Sequence, residues 1–184
     1  DLVSKLKWRY LRQLFIQDGL KTLPSKEFNQ FFNNNSSWLK PYAAFSFLRD
    51  LYGTANFSSW NKYSIYDKLT IEILTSSESD SYNDISLYYF IQYHLDRQLK
   101  IAHEYVNSKG IILKGDIPIG INRCSVEAWC EPQYFNFNGQ AGAPPDDFSV
   151  KGQNWGFPTY NWDYMEREGY DWWRRRFQKM AEYF

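Results

Sequence analysis

Gly110-Ile111-Ile112-Leu113-Lys114-Gly115-Asp116-Ile117-Pro118-Ile119-Gly120 is a short apolar run rich in β-branched residues and bounded by glycines. It follows directly on the longest helical pattern of the chain, residues 84–108, for which Gly110 is the stop signal. A long helix, a glycine and then such a run form the second half of a βαβ unit, so the spacing predicts a parallel strand near 111–119. A parallel strand is buried among neighbours. The rest of the sequence supplies few of them. The expectation is therefore an α/β chain, mostly helical, that is a piece of a larger sheet or barrel.

Upstream the signals are helical. Leu2, Leu6, Tyr10 and Leu14 mark a helix over 2–17, closed by Asp18-Gly19. Ser25 is a cap for a short helix carrying Phe28, Phe31 and Phe32. Asn33-Asn34-Asn35-Ser36-Ser37 predicts a loop. Trp38, Tyr42, Phe45, Leu48, Leu51 and Tyr52 predict another helix, ended by Gly53. Residues 54–64 predict a loop with one turn at 57–60, 65–74 leave helix and strand open, and 76–81 predict a loop leading into an N-cap. Downstream, residues 120–161 are largely irregular, and a connection of that length is usually functional. Residues 162–184 predict an amphipathic helix. The start at Asp1 without Met and the uncapped terminal Phe184 lead to the expectation of a segment of a longer polypeptide.

Composition narrows the classes of function. The 184 residues hold 8 Trp, 15 Tyr and 14 Phe, 20% of the chain, yet mean hydropathy is −0.61. Aromatic and polar together suit flat, hydroxyl-rich ligands. Lys and Arg number 21 against 21 Asp and Glu, which gives no footprint for nucleic acid or an anionic membrane. No apolar stretch is long enough to span a bilayer. Cys124 and Cys130 are too few for a disulfide framework and imply reduced thiols in a cytoplasmic protein. His94 and His103 fall on opposite faces of one helix and cannot share a metal.

Three constellations can carry chemistry. Asp116 lies near the carboxyl end of the predicted strand, where α/β folds bind ligands; an acid there can hold a sugar hydroxyl or act as acid or base, or it caps the following turn or pairs with Lys114 or Arg123. Ala143-Pro144-Pro145-Asp146-Asp147-Phe148 has two acids, but neighbouring carboxylates do not make a glycosidase pair, and a rigid turn is the better reading. Gly152-Gln153-Asn154-Trp155-Gly156-Phe157-Pro158-Thr159-Tyr160-Asn161-Trp162 offers amides and ring faces. Sugar binding needs both, and an ordinary packed aromatic loop would contain both as well.

Lys114-Gly-Asp-Ile-Pro-Ile-Gly120, Ser125-Val-Glu-Ala-Trp129, Gly142-Ala-Pro-Pro-Asp146 and Gly152-Gln-Asn-Trp-Gly-Phe-Pro-Thr-Tyr-Asn-Trp162 together resemble the 4-α-glucanotransferases of glycoside hydrolase family 77, the amylomaltases. Trp38-Leu-x-x-Tyr-Ala43 and Phe90-Ile-Gln-Tyr-His-Leu95 resemble helices that precede the strand in that family. The resemblance implies a (β/α)8 TIM-barrel fragment with a helical insert: residues 1–80 the insert, residues 81–184 the barrel segment with its helix, strand, substrate loop 120–161 and closing helix 162–184. It implies retaining transfer of α-1,4-glucan segments through a covalent glucosyl-enzyme. The nucleophile and acid/base would lie beyond Phe184, leaving no catalytic residue and an inactive chain. Asp116, Phe148, Gln153 and Trp155 match substrate-binding positions. Asp147 and Cys124 depart from the pattern, where an aromatic and an Asn or Asp are usual. No cofactor or metal is implied. The partners implied are maltose, maltodextrins, glycogen or starch and the rest of the parent barrel. A homodimer through the open barrel edge is a further expectation, and a stand-alone α-glucan-binding module is the alternative.

Overall fold

The computed structural model describes residues 2–184. The chain divides into two compact units, residues 1–54 with 58–102, and residues 55–57 with 103–184. The division falls inside the long helix that precedes Gly110.

The first unit is helical. Helix α1 runs Leu2–Thr22 and passes through Asp18-Gly19, where a close Phe15 ring packs on the buried glycine. Helix α2, Lys26–Tyr52, begins at the predicted Ser25 cap, whose hydroxyl oxygen accepts the Phe28 N–H at 3.2 Å. It ends at Gly53, whose φ of 66° lies in the left-handed region that an αL cap requires. The loop expected over 33–37 does not form. Phe28 and Phe31 at one end and Leu39, Ala43, Phe45 and Leu48 at the other are all buried on one unbroken helix. Asn33, Asn34 and Ser37 between them face solvent. The Asn35 amide donates back to the Phe31 carbonyl at 2.8 Å, and its oxygen accepts from the Trp38 indole at 2.9 Å. Burial of both flanks outweighs the weak helix propensity of Asn and Ser.

Single 3-10 turns at Phe57–Ser59 and Asn61–Tyr63 follow. The open segment 65–74 resolves as helix α3, Lys68–Leu74, capped by the Asp67 carboxylate on the Thr70 N–H at 2.8 Å. Helix α4, Tyr82–Ser108, then supplies the ring-rich face of the core. Tyr93 meets Phe28 and Phe31 edge-on at 5.5 and 5.6 Å, Tyr89 meets Phe32 at 5.1 Å, and Phe90 meets Phe15 at 5.4 Å. Trp60 is wholly buried beside Phe45. Much of the aromatic surplus that suggested a ligand surface is thus core.

The second unit departs most from expectation. The predicted parallel strand is absent: residues 111–118 have no regular secondary structure. A strand needs a ladder partner, and no neighbouring strand lies beside this run among the described residues. It is held by side chains instead. The Tyr160 hydroxyl donates to the Ile119 carbonyl at 2.9 Å and the Arg176 guanidinium to the Pro118 carbonyl at 2.6 Å. Helix α5, Val126–Cys130, is capped by Ser125. The β structure that does form is local and antiparallel: β1 (Phe135–Asn136) with β4 (Thr159–Tyr160), and β2 (Gly142–Ala143) with β3 (Gln153–Asn154). The closing helix is two helices, α6 (Trp162–Arg167) and α7 (Asp171–Met180), because Gly169 and Tyr170 both turn left-handed between them. Ile121, Ala128, Tyr134, Phe135, Met165 and Trp172 form the core of this unit.

Candidate functional site

The loop is a hairpin raised on a very short ladder. Gly142 pairs with Asn154 and Ala143 with Gln153. Below that ladder the Ala141 N–H donates to the Phe157 carbonyl at 2.8 Å, and the Trp155 N–H to the Ala141 carbonyl at 3.0 Å. Backbones approach so closely that a Cβ on residue 142 would stand 2.0 Å from the Gln153 carbonyl oxygen. Only glycine fits there.

Pro144-Pro145 carries the chain to a tip closed by its own hydrogen bonds. The Asp146 carboxylate accepts the Phe148 and Ser149 N–H groups at 3.0 and 2.7 Å, and the Ser149 hydroxyl donates to the Gly152 carbonyl at 2.7 Å. Asp146 is therefore a turn-former, with its Oδ1 accepting both backbone N–H groups.

Gln153 and Trp155 are brought together: the indole N–H donates to the Gln153 side-chain oxygen at 3.0 Å. That bond fixes the amide and leaves its NH2 outward, beside a ring that is 39% exposed. The next residue supports them. The Asn154 oxygen accepts the Gly156 N–H at 2.8 Å, and its amide donates to Gln140. Phe148 stands apart at the tip, 97% exposed. Asp116 is exposed on the irregular run, and its carboxylate makes no hydrogen bond or ion pair among the described residues. Neither Lys114 nor Arg123 pairs with it. The run it sits on packs against the loop's outgoing arm, where the Phe157 ring lies over Gly120. Arg176 in turn lies over the Trp172 and Trp173 rings, 4.4 and 4.9 Å from their centroids.

Arg123, which the sequence offered only as a partner for Asp116, turns to backbone instead. Its guanidinium donates to the Gly156 carbonyl at 2.9 Å, to the Phe137 carbonyl at 2.6 Å and to the Gly139 carbonyl. A lone Arg before a helix cap carries no local signal of such a reach.

The electrostatics are quiet. Burial raises the Tyr160 phenol, against the nearby Arg176 charge, so it remains a hydroxyl donor. Burial, with Glu131 and Glu127 adding to it, holds the Cys130 thiol far above its ordinary range. Cys124 and Cys130 are not disulfide-bonded. Among the described residues no group of three His, Cys, Asp or Glu side chains could hold a metal, and no helix is long and apolar enough to cross a membrane. What the loop gathers is recognition chemistry: ring faces, amides with free donors and an exposed carboxylate.

Comparison with known proteins gives this arrangement a family. Residues 1–184 in their entirety match the pattern of the 4-alpha-glucanotransferases, glycoside hydrolase family 77, and the chain belongs to that family. It is 47% identical over 184 residues to the 4-alpha-glucanotransferase DPE2 of Oryza sativa subsp. japonica, covering all of this chain and 19% of the rice protein. It is 32% identical over 192 residues to the 4-alpha-glucanotransferase of Thermus thermophilus, covering 38% of that protein. The chloroplastic/amyloplastic 4-alpha-glucanotransferase of Solanum tuberosum is 34% identical over 158 residues, 82% of this chain and 27% of the potato protein. Among solved structures, the amylomaltase from Streptococcus agalactiae in complex with acarbose superposes with a TM-score of 0.78 at 27% identity, over 95% of this chain and 37% of that one. The chain thus spans between about a fifth and two fifths of the length of these relatives.

Proposed function

We propose that this chain is the glucan-recognition part of a retaining 4-α-glucanotransferase built on a (β/α)8 barrel, and that the nucleophile and acid/base lie outside its 184 residues. The observation that carries this reading is the Gln153–Trp155 pair: an exposed amide whose oxygen accepts the indole N–H, beside a Trp155 that is itself partly open to solvent. A sugar ring offers C–H groups to the Trp155 face and hydroxyls to the Gln153 NH2. Phe148, bare at the tip, adds a second apolar contact. Asp116 accepts a hydroxyl hydrogen bond and orients the sugar. The solved amylomaltase with acarbose supports the substrate class, α-1,4-glucans such as maltodextrins, glycogen or starch. Two free thiols, one held protonated by burial, suit a reducing compartment such as the cytoplasm.

The test uses the purified chain. Incubated with maltotriose, it is expected to yield no ladder of longer and shorter glucans. Titrated with maltoheptaose, it is expected to change its Trp fluorescence, and Trp155→Ala to lose most of that change. A ladder overturns the placement of the acids. An unchanged response in Trp155→Ala overturns the reading of the loop. Tight binding by a cooperatively folding monomer would favour the stand-alone glucan-binding module.

A further inference from the structure

We propose that Arg123 is the positioning residue of the glucan-contacting loop, a role that rests on the reading of that loop as the recognition site. Its three donor groups are all used on backbone carbonyls. Phe137 and Gly139 lie on the arm leading into the hairpin, and Gly156 lies on the arm leading out, next to Trp155. The guanidinium therefore sits between the two arms and ties them at three points. It forms no ion pair among the described residues, so its charge strengthens these bonds rather than neutralising an acid.

The hairpin needs such a tie. Its ladders, β1–β4 and β2–β3, are two residue pairs each, and the stretch between them is joined by the Ala141–Phe157 and Trp155–Ala141 backbone bonds. Ladders so short are marginal by themselves. Arg123 also comes from outside the hairpin, from the segment that follows Asp116 and Gly120. Through it, the segment after Gly120 and both arms of the hairpin share one rigid planar group. A Lys ammonium is a point charge on a flexible stem and cannot reproduce that fork. Arg123 thus holds the arm bearing Trp155 against the arm bearing Phe137 and Gly139, without touching the sugar.

The experiment is made in the full-length enzyme that carries this chain. Arg123→Ala, Arg123→Lys and Trp155→Ala are compared in KM for maltodextrin, kcat and Tm. Loss of about one charge-assisted hydrogen bond's worth of loop order predicts a KM roughly tenfold higher in Arg123→Ala, with kcat within about twofold. Millimolar guanidinium ion is expected to restore KM in Arg123→Ala but not in Trp155→Ala, a rescue that a general loss of stability would not show. Arg123→Lys is expected to remain impaired at a near-native Tm. Wild-type KM in Arg123→Lys, or loss of kcat alone in Arg123→Ala, overturns the proposal. If Arg123→Ala does not fold, Arg123→Lys decides. A raised KM in Trp155→Ala alone defeats Arg123's role and leaves the loop reading standing; an unchanged KM in Trp155→Ala defeats the loop reading itself.

Discussion

A single methyl group tests the loop. At Gly142 an added Cβ meets the Gln153 carbonyl oxygen at 2.0 Å, and that atom is backbone, so no side chain can rotate away. Overpacking of this kind costs about 1–3 kcal/mol, comparable to the whole β2–β3 ladder. Gly142→Ala is therefore expected to open the hairpin. Limited proteolysis should cut between 144 and 152 sooner than in the wild type, and the fluorescence response to maltoheptaose should fall with it. An unchanged cleavage pattern would show that the ladder does not hold the tip. The same scale explains Asp146. Its place beside Asp147 invites thoughts of paired acids, yet its Oδ1 is held by two backbone N–H groups that shape the turn.

Among the elements, α4 carries a pH dependence. His94 lies 4.3 Å from Phe90 and 5.2 Å from Tyr93, ring to ring, and its Nε2 is buried without a hydrogen-bond partner. Burial depresses its pKa below the ordinary 6.5; Arg97 adds to this and Asp18 opposes it. The folded state thus prefers neutral imidazole. Its stabilising effect is present above the unfolded value and is lost as pH falls from about 6.5 through the lower folded value. Thermal melts from pH 8 to pH 5 should show Tm falling over that window, and His94→Gln should flatten the slope. An identical slope in the variant would assign the acid sensitivity elsewhere. Helix α2 makes the complementary point. Its Asn-Ser stretch reads as a break by propensity alone, and the burial of its two flanks overrides that.

Each of the two units exposes large apolar side chains. On α1, Leu2, Leu6, Tyr10, Ile16 and Leu20 are exposed, Leu20 by 88%; on the irregular run Ile112 is 87% exposed. Large apolar side chains exposed along one helix give α1 a surface suited to meeting other polypeptide. With the chain spanning 19% of its rice relative, we expect the isolated chain to self-associate. Size-exclusion at rising concentration should show growing oligomers, whereas the full-length enzyme should not elute the same way. A single monomer peak at every concentration would count against it.

By itself the sequence determined the family, through ordered motif blocks such as Gly152-Gln-Asn-Trp-Gly-Phe-Pro158, and the local signals that need no partner. The Ser25 cap and the Gly53 and Gly110 stops are set by residues within one turn of each other. Tertiary structure decided what depends on distant residues. Residues 111–118 are strand-like in composition but form no strand, because a ladder requires a neighbour that composition cannot supply. The closing helix divides at Gly169-Tyr170 where the chain turns left-handed. Arg123 acquires its role only when folding brings carbonyls 14, 16 and 33 residues away within reach of one guanidinium.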